Sequence, residues 1–329
     1  MRPKFRLEVN GGDVTDAISD KVLQLRVNDD SGQKSDTVDL TLDDRGNTLD
    51  VPAQRAELKV WIGYEETDLT YMGSYTIDEV SFTDSPATMK VRAKAADSSP
   101  EFRATKTRSW HHTTIGAIVT TIAGEHGLVP SVHASLASVE IHHIDQENES
   151  DAHFLTRLAK TYGAVAKPAD GKLIFMPEGQ GLSPSGATLS AADVDRNELS
   201  AFKATIKDRG VYSGVITRYR DKASNQELEV TVTDSWDFFG SGPMFRDKKL
   251  YTSQDMAQKA GIAKLKQLKT GTISLDFTVR GRPDIFAERP VNLTNVRSPL
   301  AGQWIVKTVT HTMSASGFVT KVQAGNKAD

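Results

Sequence analysis

Apolar and polar residues alternate with a period of two at both ends of the chain, and this pattern constrains the fold more than any other feature of the sequence. In the first hundred residues the alternation occurs in "VLQLRVN", "DTVDLTLDD", "AELKVWIGY", "GSYTIDEVSF" and "ATMKVRAKA". It returns from about Leu199 in segments that include "GVYSGVITRYR", "QELEVTVTD", "TISLDFTV" and "QWIVKTVTHTM". Because successive side chains of a strand point to opposite faces of a sheet, the pattern predicts antiparallel strands with one buried face.

The two strand-rich ends also resemble each other in the order of their residues. Four positions match at one constant offset: Gly73 with Gly302, Tyr75 with Trp304, Ile77 with Val306 and Val80 with Val309. A hairpin turn two residues longer then places Val91 on Val322, and residues 35–44 align with residues 225–234. Alternation alone would align any two amphipathic strands, but the shared order of glycine, aromatic and aliphatic residues favours an internal duplication. A trimer of such a chain would present six similar units around one axis.

Helical periodicity separates the two ends. Apolar residues recur on one helix face in "TTIGAIVTTIAGEHG", a second helix is predicted in "SDAHFLTRLAKTYG", and "GKLIFMPEG" is typical of a strand. A further helix interrupts the second strand-rich end near residues 253–268, with Ser253 as its N-cap. We therefore expect an α+β, mainly β, fold. Residues 1–98 and 199–329 are predicted to form two related antiparallel β-barrel-like tube domains that flank a small α/β insert, residues 99–198.

Composition argues against several classes of function. The formal net charge is -3 with 25% charged residues, so no overall positive field attracts nucleic acid or an anionic membrane. No stretch approaches the roughly 18 consecutive apolar residues of a membrane span, and the N-terminus lacks a signal-peptide core. We therefore expect assembly in a cytoplasm without stable membrane insertion. Cysteine is absent, which excludes disulfides, thiolate metal sites and cysteine nucleophiles.

The stretch "HHIDQENESDAHFL" concentrates histidines and carboxylates, so it poses the question of a metal or acid/base centre. A metal site there would require His142 or His143 to fold back onto His153 together with Asp145 or Glu149. The local spacing permits this arrangement, but nothing in the sequence demands it.

The alternative explanation of the same stretch is an ordinary helix start. Ser150 can cap the helix, Asp151 suits its positive N-terminal end, and Gly163 can end it. We predict a helix start and assign no metal-binding, catalytic or cofactor-binding residue, and we expect no cofactor. His111 and His112 are not expected to share one metal, because adjacent side chains diverge on a helix or strand. Thr113 or Thr114 is instead predicted to cap the helix that follows.

Other short motifs provide no convincing enzyme site. "SGQK" at residues 31–34 and "KTG" at residues 269–271 fit parts of the β-lactamase pattern. Ser31, however, lies between two predicted strands rather than at a helix start, and the Ser-Asp-Asn motif is missing. "GQGLSPSG" at residues 179–186 lacks the Lys-Ser/Thr pair of a P-loop. A basic helix surface is expected to be solvated or to meet an acidic neighbour, and it carries Lys259, Lys264, Lys266 and Lys269.

Three blocks of the sequence resemble the phage late control gene D family, the baseplate hub proteins of contractile tails. They are "DDSGQKSD", "GYEETDLTYMGSY" and "DQENESDAHFLTRLAKTYGA", and the resemblance continues to the closing "GQWIVKTVTHTMSASGFVTKVQA". This family is similar in fold to the hub part of type VI secretion spikes. The resemblance implies a structural, non-enzymatic homotrimer with pseudo-sixfold symmetry, which adapts the sixfold tail tube to a threefold central spike.

The resemblance also implies the partners and the location. Secretion spikes continue into a long β-helical needle, whereas this chain stops at "GNKAD", so we expect the trimeric spike to be a separate protein. The other expected partners are a tail tube or tube-initiator protein and baseplate wedge proteins. The expected location is the baseplate of a virion or tail-like particle assembled in the bacterial cytoplasm.

Two alternative functions belong to other classes. A cell-wall hydrolase would suit a tail tip, but the carboxylates alternate on strands or lie in turns, and no acid pair or nucleophile stands out. A glycan- or receptor-binding tail-tip module would need exposed aromatic residues, and aromatic residues make up only 7% of the chain.

Overall fold

The fold of the chain is built mainly from β-strands. The computed structural model describes residues 1–31, 36–95, 100–183, 186–206, 212–221, 224–233, 243–269, 273–298 and 300–326. Among these residues no helix is both long enough and apolar enough to cross a lipid bilayer.

Residues 3–95 form a group of strands that we call the first unit. Its elements are β1 (Pro3–Val9), β2 (Gly12–Asp13), α1 (Thr15–Ile18), β3 (Val22–Asp30), β4 (Thr37–Asp43), β5 (Glu57–Tyr64), β6 (Thr70–Asp84) and β7 (Ala87–Ala95). The strands pair in the order β3-β4-β7-β6-β5-β1-β2. The predicted alternation is confirmed in β4, where Val38, Leu40 and Leu42 are buried and the residues between them are not.

Residues 100–177 form the insert. Its elements are α2 (Pro100–Arg103), β8 (Thr105–Thr114), α3 (Ile115–Glu125), β9 (Val129–Val132), α4 (Ala134–Ala137), β10 (Glu140–Ser150), α5 (Asp151–Thr161), β11 (Ala164–Ala169) and β12 (Lys172–Pro177). Thr114 caps α3 by accepting a hydrogen bond from the Ala117 N–H at 3.2 Å, and Ser150 caps α5. Gly163, with φ of 61°, follows the end of α5. The caps and the stop signal are those that the sequence predicted.

Residues 192–326 contain two further groups of elements. The first elements are β13 (Ala192–Asp195), a 3-10 turn (Arg196–Glu198), β14 (Leu199–Ile206), β15 (Gly214–Arg220), β16 (Glu227–Thr233) and β17 (Met244–Tyr251). They are followed by α6 (Gln254–Lys269), β18 (Ile273–Arg280), β19 (Pro290–Thr294), β20 (Gly302–Ser314) and β21 (Gly317–Asn326). We call β13, β14 and β18–β21 the second unit, and β15–β17 with α6 the accessory layer. Ser253 caps α6 by accepting from the Met256 N–H at 3.3 Å, as predicted.

The first and second units belong to one continuous sheet. β20 pairs antiparallel with β3, so that residues 308–314 lie opposite residues 30–24. Met313 and Phe318 of the second unit pack into the apolar core of the first unit. Period-2 alternation predicted the strands but not this joint, because alternation reports which face is buried and not which strand lies alongside.

The two units share one strand order, which confirms the predicted relation between the two β-regions. The first unit runs β3-β4-β7-β6-β5, and the second runs β14-β18-β21-β20-β19. Gly73 and Gly302 both have positive φ, 127° and 119°, a region that favours glycine. The same register irregularity follows Ile77 in β6 and Val306 in β20.

Further register features match between the units. Val80 lies opposite Val91 in the first unit, as Val309 lies opposite Val322 in the second. A second matching irregularity occurs in the first strand of each unit, between Val22 and Gln24 in β3 and between Leu199 and Ala201 in β14. The two turns have the same length, residues 85–86 and 315–316. The two extra residues of the second hairpin therefore lengthen its strands, and the predicted longer turn is wrong.

The predicted equivalence of residues 35–44 with residues 225–234 is also wrong. β16 lies in a separate three-stranded sheet, in the order β16-β15-β17, on which α6 packs. The counterpart of β4 is β18, which pairs with β14 and β21 as β4 pairs with β3 and β7. The accessory layer is inserted between β14 and β18, and its strands alternate like any half-buried strand, so the sequence pattern could not distinguish β16 from β18.

Candidate functional site

The histidine-rich stretch lies on β10, a strand, before α5 begins. Because β10 pairs with β8, His143 lies opposite His111, and their Nδ1 atoms are 3.1 Å apart. His143 Nε2 is 3.0 Å from Asp145 Oδ2, whereas His153 Nδ1 is 2.7 Å from Glu149 Oε1. The metal arrangement considered from the sequence is therefore not assembled, since His143 and His153 have different carboxylate partners.

His142 and His112 also form their own contact, with ring centroids 6.3 Å apart. Each adjacent histidine thus faces a different partner, because neighbouring side chains of a strand point to opposite faces. The helix start predicted at Ser150 is confirmed, and the residues before it form the strand β10.

A buried ionic network surrounds Asp151, the first residue of α5. Asp151 is fully buried and accepts hydrogen bonds from Lys106 Nζ at 2.5 Å and Arg108 Nη2 at 2.7 Å. Glu125 accepts from the same two cations, at 2.7 and 2.5 Å. Burial alone would raise the pKa of the Asp151 carboxyl, but the hydrogen bonds from Lys106 and His126 lower it below its usual range.

The possible ligand atoms of Glu125, His126 and Asp151 lie within 4.8 Å of one another. Lys106 and Arg108 form ion pairs with both carboxylates, so the oxygens of Glu125 and Asp151 already belong to an ionic network. Sequence reasoning recognised Asp151 as a helix-start residue and missed the network. Its cations lie on β8, more than 40 residues earlier in the chain, and no local pattern connects them to α5.

The place where the insert meets the two units is a second ionic site, partly buried, which we call the junction. Lys167 on β11 donates to Asp36 Oδ2 at 3.0 Å, to the Asp30 carbonyl at 2.9 Å and to Asp29 Oδ1 at 3.3 Å. Burial, with a smaller contribution from the nearby Asp29, raises the pKa of Asp36 to about 6 against the opposing effect of Lys167. Burial would lower the pKa of Lys167, but the two carboxylates raise it, so the lysine remains charged.

The second unit contributes the other half of the junction. Asp29 Oδ2 accepts from the Ala287 N–H at 2.8 Å, and Asp30 Oδ2 accepts from the Thr308 hydroxyl at 3.0 Å. Glu288 is 5% exposed and accepts from the Gly179 N–H at 2.8 Å. Burial raises the pKa of Glu288 to about 7. The junction therefore connects the first unit, the insert and the second unit through buried and partly buried charges.

One buried histidine lies close to this junction. His311 Nε2 donates to the Ile285 carbonyl at 3.1 Å, and Nδ1 accepts from the Thr320 hydroxyl at 2.9 Å. Burial lowers the pKa of His311 to about 4, so the imidazole is neutral near pH 7. Both ring nitrogens have protein partners, which makes His311 a structural residue.

Comparison with known proteins decides the family. A family described as the phage tail baseplate hub (GPD) matches residues 44–317.

The chain belongs to the phage tail baseplate hub family.

A relative from Escherichia phage 186, described as a probable baseplate hub protein, is 30% identical over 98% of this chain and 92% of its own length. The 43 kDa tail protein of prophage MuSo2 from Shewanella oneidensis has a similar fold, with a TM-score of 0.74, 14% identity and 99% coverage of both chains. A type VI secretion component of E. coli is similar with a TM-score of 0.59 and 11% identity, over 98% of this chain and 76% of that one. The resemblance derived from the sequence is thereby confirmed.

As a baseplate hub, the chain is a structural protein of a phage-type tail, and its remaining sequence motifs agree with a structural role. Ser31 is buried after β3 and donates its backbone N–H to the Lys307 carbonyl at 2.8 Å. It lies at the junction and not at a helix start. Residues 32–35 and 270–272 lie outside the described part, so the rest of the β-lactamase-like pattern is not placed.

The glycine-rich stretch and the lysine-rich helix have equally simple places in the hub. Gly179 begins the stretch and binds Glu288 through its backbone, while residues 184–185 lie outside the described part. On α6, Lys259 forms an ion pair with Asp255 at 2.8 Å, and Lys264 lies over the ring of Phe245. The side chains of Lys266 and Lys269 lie outside the described part.

Proposed function

We propose that the chain acts as a homotrimeric hub that adapts a sixfold tail tube to a separate threefold spike. The observation that carries this proposal is the matching strand order of the two units, together with their matching register irregularities. Three copies of a chain with two equivalent units present six units in a closed ring. One ring can therefore offer sixfold similarity on one side and true threefold symmetry on the other.

One of the comparisons supports the partners that we propose. The similar type VI secretion component is described as structurally similar to the bacteriophage T4 tail proteins gp27 and gp5. By analogy, we assign the hub a trimeric spike, a tail tube or tube-initiator protein, and baseplate wedge proteins as neighbours. We place the protein in the baseplate of a virion or tail-like particle that assembles in the bacterial cytoplasm, without enzymatic activity of its own.

The domain division predicted from the sequence belongs to the same proposal: residues 1–98 and 199–329 as tube domains and residues 99–198 as the insert. Separate clusters of buried apolar side chains in the first unit, the insert and the second unit support it. β13 pairs with β19, so the second tube domain also takes residues 192–195.

The proposal is tested by measuring mass in solution, by light scattering or mass photometry, for the chain alone and with its separately expressed spike protein. We expect a particle of three 35.9 kDa chains that binds one trimeric spike. Low-resolution images should show a ring with six similar lobes. A stable monomer that cleaves cell-wall polymer or binds glycan, and that ignores the spike, would overturn the hub proposal in favour of the hydrolase or receptor-binding alternatives.

A further inference from the structure

The pairing of β20 with β3, which we call the joint within the chain, shows how one unit of this chain binds another. β20 is a long strand with two different neighbours on one side. Its first part, residues 302–305, pairs with β19, and its last part, residues 308–314, pairs with β3. The last part of β20, in the second unit, is thus covered by β3 of the first unit.

The counterparts of these two strands, β6 and β14, lie elsewhere in the same sheet. β6 is the counterpart of β20, and its first part pairs with β5, but within the described part of the chain residues 79–84 pair only with β7. β14 is the counterpart of β3, and among the described residues it pairs only with β18. The described part of each copy therefore has two unpaired strand edges. We call residues 79–84 of β6 the acceptor edge and β14 the donor edge. Unpaired strand edges expose backbone N–H and C=O groups that bind a further strand.

Side chains at these two edges are also more exposed than their counterparts in the joint within the chain. His311, on the last part of β20, is 1% exposed, whereas its counterpart on β6, Phe82, is 55% exposed. Leu25 on β3 is buried, whereas its counterpart on β14, Phe202, is only partly buried. Positions whose side chains are buried in the joint within the chain are thus less buried at the two edges, and Phe82 is the more exposed of the two.

We propose that β14 of one copy of this chain adds, antiparallel, to residues 79–84 of β6 in a second copy. In the joint within the chain, Thr310 lies opposite Asn28. Because the register irregularities of the two units match, equivalent residues can be assigned in the joint between copies. Ser81 then lies opposite Thr205, and Phe82 lies opposite Ala204. This inference rests on the proposed function, since it specifies the contact through which three copies close into a ring.

The joint between copies has a smaller apolar core than the joint within the chain. Met313 and Phe318 of the second unit enter the core of the first unit, but the first unit carries Asp84 and Ala87 at the corresponding positions. A single such contact buries less apolar surface and is correspondingly weaker. The contact is head-to-tail, so closure of the ring is what stabilises it, because every copy in a closed ring has both edges paired.

Disulfide cross-linking tests the register, because the chain contains no cysteine of its own. We expect the double variant Ser81→Cys, Thr205→Cys to form covalent dimers and trimers on mild oxidation, with no larger species. Side chains directly opposite each other on antiparallel strands have Cβ atoms about 5 Å apart, within reach of a disulfide after small adjustment. The products are read on non-reducing gels over a range of protein concentrations.

Two further cysteine pairs serve as controls. Asn28→Cys, Thr310→Cys should form an intramolecular disulfide, since those side chains are 2.9 Å apart in the joint within the chain. Thr83→Cys, Thr205→Cys shifts the register by two residues, to Cβ separations of about 7–8 Å, and should cross-link at least tenfold more slowly. Equal rates for the matched and shifted pairs would overturn the proposed register.

A charged substitution tests the interface without cysteine chemistry. Phe82→Lys places an ammonium where the joint would bury a side chain, and we expect at least a tenfold weaker trimer with an unchanged melting temperature of the isolated chain. Val129→Lys is the control, because Val129 is similarly exposed, at 60%, on β9 of the insert. Its trimer should be unaffected. Equal effects of the two substitutions would count against the proposed edge.

The outcomes separate this inference from the proposed function. A trimer by mass whose Ser81–Thr205 pair stays reduced, while the Asn28–Thr310 pair oxidises, would overturn the strand addition and leave the hub proposal standing. Cross-linked ladders longer than three copies would support the strand addition and contradict the trimer. A chain that is monomeric and uncross-linked at every concentration, with and without spike protein, would overturn both.

Discussion

The first and second units have the same strand order and the same register irregularities, but their interiors differ. Leu40 of the first unit lines a cavity of about 390 Å³ beside α1, whereas its counterpart, Phe277, is 1% exposed within the core of the second unit. Phe82 is exposed on β6, whereas its counterpart, His311, is buried and hydrogen-bonded on both ring nitrogens. The two units therefore share the positive-φ glycines and the register irregularities. Residues at other positions differ according to whether another part of the chain covers them.

The largest expected difference concerns the two cores. Phe277→Ala should lower the free energy of unfolding by about 3–5 kcal/mol, because it leaves a large void in a fully packed core. Leu40→Ala should cost nearer the low end of about 2–5 kcal/mol, because one side of Leu40 already faces a cavity. Urea unfolding monitored by tryptophan fluorescence measures both values. A larger loss for Leu40→Ala would show that the first unit is the more tightly packed one.

The second prediction concerns the anchor that the insert provides to the first unit. Lys167→Met should lower the free energy of unfolding by about 3 kcal/mol, because the partly buried carboxylates of Asp29 and Asp36 are left near each other without a cation. The control is Lys94→Met, which removes the more exposed pair with Asp78 within the first unit and should cost less than about 1 kcal/mol. Similar losses in the two variants would contradict the structural role assigned to the junction.

The third prediction uses pH to test the protonation of Glu288, the acidic residue that the second unit contributes to the junction. Glu288 has a pKa of about 7 when folded and an ordinary value near 4.5 when unfolded. The folded state therefore binds more protons between these values, and the stability contributed by the protonated form falls as pH rises from 4.5 to 7. Glu288→Gln removes this loss, so relative to the native chain it should gain about 2–3 kcal/mol between pH 5 and pH 8.

His311 acts with the opposite sign. Its folded pKa is lowered to about 4, so stability falls as pH drops from 6.5 towards 4. This contribution is present in both the native chain and Glu288→Gln, and it cancels when the two are compared at each pH. Denaturant unfolding from pH 5 to pH 8 provides the measurement, and a constant difference between the two proteins would show that Glu288 is ionised in the folded state throughout.

The smallest expected effect concerns a hydrogen bond from an aromatic side chain to a backbone carbonyl, which occurs at equivalent positions in both units. Tyr75 donates its hydroxyl to the Met72 carbonyl at 2.8 Å, and its counterpart, Trp304, donates to the Leu300 carbonyl at 2.9 Å. Tyr75→Phe should cost about 1 kcal/mol, since the Met72 carbonyl loses a partly buried hydrogen bond. Tyr71→Phe is the matched control, because that hydroxyl bonds to Asp170 on the surface and its loss should be nearly neutral. Thermal unfolding distinguishes them.

Sequence reasoning succeeded where the determining interactions are local. The caps at Thr114, Ser150 and Ser253 and the stop at Gly163 depend on side chains within four residues, so the sequence predicts them directly. The equivalence of Gly73 with Gly302 was likewise visible, because a positive φ restricts the residue that can occupy the position.

Sequence reasoning failed where the partner lies far away in the chain. The histidines of β10 were considered together with His153, but strand pairing directs His143 to His111 instead. The residues that Lys167 binds are separated from it by 131 to 138 positions. Electrostatic contacts of this kind leave no periodic trace in the sequence.

The sequence by itself determined the mainly β fold class, the relation between its two ends, the helix limits and the membership of the hub family. These properties follow from side-chain periodicity, from capping chemistry and from residue order, all of which are local. Only the tertiary structure decided that β3 joins β20 and that β18 rather than β16 is the counterpart of β4. It also decided that, among the described residues, β14 pairs only with β18 and residues 79–84 of β6 pair only with β7. The physical reason is that every half-buried strand alternates with the same period, so the choice of neighbour depends on the packing of the whole sheet.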